Sequence, residues 1–119
     1  MTQQEFQTLR HMANQDKITY TGHAFQQMLD RGIRKDEVKK VLSSDRNQLI
    51  EVQPSSGNPS KPHKDPRFLF SDPDNEREII VVTVLPILPE PEIRVITVEC
   101  ASSEIWDKDK EKNPWLIRK

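Results

Sequence analysis

Thr21-Gly22-His23-Ala24-Phe25-Gln26-Gln27-Met28-Leu29-Asp30-Arg31-Gly32 is the stretch on which the fold turns. Thr21 suits a helix N-cap, because its hydroxyl can accept an orphan amide of the first turn. Ala24, Phe25, Met28 and Leu29 recur at helical spacing and make one apolar face. Gly32 stands where a left-handed helix end belongs. The stretch therefore predicts an amphipathic helix that must lay this face on a partner.

The flanks say what that partner is. Upstream, Thr2 and Glu5 form a capping box, and Phe6, Leu9, Met12 and Ala13 carry a first helix to about Asn14. Ile18-Thr19-Tyr20 is a short β-prone piece. Downstream, residues 35–42 read as a third helix with Val38, Val41 and Leu42 inward and Asp36-Glu37 in its first turn. The apolar period then changes from 3.6 to 2. Residues 49–53, 67–70, 78–85 and 92–99 read as strands, and Asp72-Pro73-Asp74-Asn75 reads as a turn. Ile79-Ile80-Val81-Val82-Thr83-Val84 is apolar on both faces, as a central strand covered on both sides would be. Residues 54–66 and 86–91 are proline-rich connections. Helices first and strands afterwards imply an α+β fold, with two to three helices packed on an antiparallel meander sheet of about four strands. Residues 1–106 read as one α+β domain. Residues 107–119 read as a charged C-terminal tail, with 107–112 a solvated helix or tail and Trp115 docking it.

Bulk properties exclude several classes. No run of about 18 apolar residues exists, so no spanning helix and no membrane partner are expected. The first residues lack the basic and apolar blocks of a secretory signal, and Cys100, a lone cysteine, makes no internal disulfide, so a cytoplasmic setting is expected. Residues 1–66 carry ten Lys/Arg against eight Asp/Glu, and residues 67–119 carry eight against eleven. Nucleic-acid binders draw affinity from a basic excess, so an RNA role here needs a local patch, most plausibly at residues 31–35 and 39–40.

His23 is the first candidate for chemistry. In the first turn of its helix the macrodipole disfavours the imidazolium, and a neutral imidazole suits a general base. The helical wheel places it nearly opposite the apolar face, and the bland alternative is a cap-region histidine bonded to backbone. Arg31 lies eight residues on, roughly 12 Å along the axis, and with His23 could bracket an anion. The alternative is an ordinary C-terminal arginine favoured by the dipole. Alternation places Arg67 and Leu69 on one face, and Ile93, Val95, Thr97 and Glu99 on one face, so Arg67 and Thr97 could line the sheet together. Edge arginines and a β-favouring threonine are the alternative. His11, His23 and His63 lack ligand spacing, so neither a metal nor a cofactor is expected.

Ile18-Thr19-Tyr20-Thr21-Gly22-His23-Ala24, then Met28-Leu29-Asp30-Arg31-Gly32-Ile33, then Glu37-Val38, resembles a small bacterial domain family with a helix written HA…M..RGI. The resemblance covers residues 18–99. That family is similar in architecture to RelE/ParE-like toxins and the barnase-like ribonucleases. The resemblance implies a toxin-type endoribonuclease, with catalytic positions at His23, Arg31, Arg67 and Thr97 and no metal. RNA, and a protein partner of antitoxin-like or other kind, are the partners it implies. In such enzymes a base activates the ribose 2′-hydroxyl while arginines stabilise the phosphorane charge. A non-catalytic protein-interaction domain on the same scaffold is the rival reading. The enzymatic reading calls for His23, Arg31 and Arg67 to converge within about 10 Å in a positive cleft.

Overall fold

The computed structural model describes residues 1–54, 66–84 and 92–119. Helix α1 (Gln3–Asn14) starts on the expected capping box, with Thr2 and Glu5 bonded reciprocally. Strand β1 (Ile18–Tyr20), α2 (Gly22–Arg31) and α3 (Lys35–Ser43) follow. Then come β2 (Gln48–Gln53), β3 (Arg67–Ser71), β4 (Ile79–Val84) and β5 (Ile93–Cys100). The turn at residues 72–75 forms, with the Asn75 amide on the Asp72 carbonyl at 3.1 Å. Most of the two proline-rich connections lies outside the described residues, as does the predicted end of the third strand at Leu85.

The fold is α+β, and its sheet carries one strand more than the meander. β2, β3, β4 and β5 pair antiparallel in succession, as expected, and the short piece at 18–20 adds β1 in parallel beside β5. The order is β1-β5-β4-β3-β2, so β4 is central. Its alternate side chains enter two cores. Ile79 and Val81 meet the helices through Leu9, Met12, Met28, Val38 and Leu42, and Ile80 and Val82 face the other way.

That second face is covered by the chain's end. Residues 107–112 are exposed, as expected of a charged run, but they are not helical. Strand β6 (Trp106–Lys108) pairs antiparallel with β7 (Leu116–Arg118), and Trp106, Trp115 and Leu116 seat on Leu69, Ile80 and Val82. The expected solvated helix or tail is thus half of a docked hairpin. Apolar side chains at 106, 115 and 116 outweigh the polarity of the run between them.

Arg77, in the loop before β4, ties the helices together. Its guanidinium donates to the carbonyls of Arg31 and Gly32, at 3.1 and 2.6 Å, and to both carboxylate oxygens of Glu37. Gly32 closes α2 at φ +63°, in the left-handed region, with open space where a Cβ would sit. Gly32→Ala therefore costs only the conformational penalty, about 1 kcal/mol, readable as a lower urea midpoint at unchanged slope.

Candidate functional site

The site begins with the way α2 meets the sheet. Among the described residues β5 has no strand on its outer side beyond Val95, and α2 takes that place. The Thr21 amide donates to the Val95 carbonyl, the Thr21 hydroxyl to the Ile96 carbonyl, and the Val98 amide to Gln27 Oε1 at 3.0 Å. An exposed strand edge is thereby satisfied by side chains of a helix. Gln27→Ala leaves the Val98 amide unpaired and should cost about 1–3 kcal/mol in urea unfolding.

These bonds rotate α2 relative to expectation. Ala24 and Met28 are buried, but Phe25 is 43% and Leu29 60% exposed. The buried face is centred between Ala24 and Met28 rather than between Ala24 and Leu29. At 100° per residue His23 then lies about 120° from that centre, not about 170°. His23, Gln27 and Arg31 form an i, i+4, i+8 row, and Gln27 fixes that row along the β5 edge. His23 is exposed, and among the described residues its imidazole has no hydrogen-bonding or ionic partner.

A bulge in β5 decides what faces the row. Val82 pairs with Thr97 but Thr83 pairs with Val95, leaving Ile96 as the extra residue. The expected face of Ile93, Val95, Thr97 and Glu99 is therefore broken. Ile93, Val95 and Val98 face the helices, while Ile96 packs into the second core. Thr97 and Glu99 pair with Val82 and Ile80 of that core, and so lie on the hairpin side of the sheet.

Arg67 shares this face but not this place. It pairs with Gln53, at the far end of β3, whereas Thr97 lies in the row of Leu69 and Val82. Two strands and two residues separate Arg67 from Thr97, about 12 Å between Cα atoms. The expected convergence of His23, Arg31 and Arg67 in a cleft is thus not what the structure builds. The α2 row is tied through Gln27 to Val98, the residue after Thr97, and Arg67 lies two strands away on β3.

The hairpin brings charges that the sequence reading passed over. Arg118 donates from Nε and Nη2 to the two carboxylate oxygens of Glu51, both at 2.8 Å, and its guanidinium lies 4.6 Å from the Trp106 ring centroid. That bridge holds the Glu51 carboxyl below the usual carboxylate range and raises Arg118. Glu99 behaves oppositely. Burial pushes its carboxyl upward and Glu51 adds to this, while Arg118 and Arg31 pull it down. Glu99 was legible only as an acidic residue at a strand end, and Arg118 only as part of a tail. No local signal in the sequence joins them.

Among the described residues one cleft of about 640 Å³ lies beside Phe6, Arg10 and Asn47, and another of about 520 Å³ beside Glu37, Asn75 and Arg77. Among the described residues no cluster of three or more His, Cys, Asp or Glu could hold a metal ion, and no helix is long and apolar enough to cross a membrane.

Over residues 20–99 the sequence matches the family described as a domain of unknown function (DUF4258). The match spans well over half of the chain, which belongs to that family. No curated protein and no solved structure matches it. Of the groups above, His23, Arg31, Thr97 and Glu99 fall within the matched residues, and Arg118 falls outside them.

Proposed function

We propose that this DUF4258 domain is a RelE/ParE-like, toxin-type endoribonuclease that cleaves RNA by general acid–base chemistry without a metal ion. The supporting observation is the row His23, Gln27 and Arg31, pinned to β5 by the Gln27 bond to the amide of Val98, which follows Thr97 in the chain. His23 accepts the proton of a ribose 2′-hydroxyl, and the 2′-oxygen attacks phosphorus. The bond to the 5′-oxygen breaks, that oxygen takes a proton from water, and a 2′,3′-cyclic phosphate results. Arg31 stabilises the phosphorane charge, and the Thr97 hydroxyl orients a phosphate oxygen. In this reading Arg67, about 12 Å from Thr97 between Cα atoms, meets a neighbouring phosphate of the same strand. The resemblance of the HA…M..RGI helix supports the same reading. Cleavage of RNA by the wild type, retained in EDTA and lost in His23→Ala, tests it; equal cleavage by both proteins sinks it.

A protein-interaction reading rests on the other flank of α2. Phe25 and Leu29 are exposed there, and the Lys35 ammonium lies 5.3 Å from the Tyr20 ring and 5.4 Å from the Phe25 ring. That reading calls for a protein partner and for RNA affinity without a steep salt slope, which a filter-binding titration at two salt concentrations measures.

A further inference from the structure

The cleft of about 640 Å³ beside Phe6, Arg10 and Asn47 lies against β2, at the opposite end of the strand order from β1, and the proposed cleavage does not use it. Its volume is that of a small-ligand site. Phe6 and Arg10 come from α1, Asp45 and Arg46 from the connection after α3, and Asn113 from the hairpin. Arg10 is held from three directions. Its guanidinium lies 5.1 Å from the Phe6 ring centroid, Nε donates to Asn47 Oδ1 at 2.9 Å, and Nη2 donates to the Asn47 carbonyl at 3.3 Å. Asn47 is fixed in turn, its side-chain nitrogen donating to the Val41 and Leu42 carbonyls at 2.9 and 3.0 Å. These bonds occupy the Nε–Nη2 side of the guanidinium. Its end, formed by Nη1 and the second N–H of Nη2, keeps two parallel donors, the fork that a carboxylate fits bidentately.

The charges of the cleft select the ligand. Among the described residues neither Arg10 nor Asp45 forms an ion pair, whereas Arg46 is paired with Asp74 at 3.5 Å. The cleft thus offers one uncommitted guanidinium and one uncommitted carboxylate. A phosphate would be drawn to Arg10 and repelled by Asp45. A ligand bearing both a carboxylate and an ammonium group is drawn to both. We propose that this cleft binds a free α-amino acid, whose carboxylate takes the Arg10 fork and whose ammonium group faces Asp45. Gln3 and Asn113, which also line the cleft, supply amides for a polar side chain. Gln48 serves the hairpin instead, because its Oε1 accepts the Trp115 amide at 2.7 Å. Holding Arg10 on Phe6 and Asn47 before the ligand arrives lowers the ordering cost of binding. The site stands independently of the ribonuclease reading, since none of its residues belongs to α2, β5 or Arg67.

The test uses the full chain. Thermal unfolding is followed with each of the standard L-amino acids in turn, since a ligand of the native state raises the midpoint. The one that raises it most is then titrated by calorimetry beside inorganic phosphate and two analogues, one lacking the ammonium group and one lacking the carboxylate. The amino acid binds at least about tenfold tighter than phosphate or either analogue. Arg10→Lys keeps the charge but loses the fork, and weakens binding by about tenfold. Asp45→Asn erases the preference for the amino acid over its analogue without the ammonium group. Asp45 is exposed and unpaired among the described residues, so this variant reads the site at wild-type stability, and it decides the matter even where Arg10→Lys fails to fold. The proposal is overturned if no amino acid raises the midpoint, if phosphate binds as tightly, if folded Arg10→Lys binds like wild type, or if Asp45→Asn keeps the preference.

Discussion

If the proposed reaction holds, His23→Ala should lower the rate of RNA cleavage by about 10²–10⁴-fold, the range that a positioned general base contributes. Among the described residues the replaced side chain makes no hydrogen bond or ion pair and belongs to neither core. His23 is exposed, and the helix start is secured by Thr21, whose hydroxyl accepts the Ala24 amide at 3.1 Å. The variant should therefore unfold at the wild-type urea concentration. Loss of rate with unchanged stability assigns the effect to chemistry. An equal loss of both would make His23 a structural residue and remove the base from the proposed reaction. Steady-state cleavage of a short RNA beside a urea curve on the same preparation reads both quantities.

Trp115→Ala should destabilise the protein by about 3–5 kcal/mol, the usual cost of truncating a fully buried large aromatic. Trp115 is 1% exposed, and its backbone amide donates to Gln48 Oε1 at 2.7 Å. It seats the hairpin on Ile50, Leu69, Ile80 and Val82. The same hairpin carries Arg118 to Glu51, so that bridge is lost with it. A fall below about 1 kcal/mol would mean that the hairpin is not a working part of the second core.

Local chemistry in this chain is read well by local rules. The capping box at Thr2 and Glu5, the N-cap at Thr21, the left-handed end at Gly32 and the turn at residues 72–75 all form as their residues demand. Each is satisfied within four residues of chain, so neighbours in sequence suffice to decide it. The two-sided burial of β4 was legible for a related reason. Six consecutive apolar or β-branched residues leave no face that favours water.

What the sequence by itself determined is therefore the order of the helices and strands through β5, the ends of the helices, and the α+β class. Tertiary structure alone decided which flank of α2 meets the sheet. Four apolar residues at helical spacing define a stripe wide enough for more than one docking angle, and the Gln27–Val98 bond selected the one that exposes Phe25 and Leu29. It also decided that β1 runs parallel to β5, that a bulge at Ile96 turns Thr97 and Glu99 toward the hairpin, and that Arg118 bridges Glu51. Glu51 and Arg118 are 67 residues apart in sequence, and no periodicity or spacing rule spans that distance. Only the packing of Trp106, Trp115 and Leu116 on the sheet brings them together, because burying that apolar surface outweighs leaving a charged run free in water.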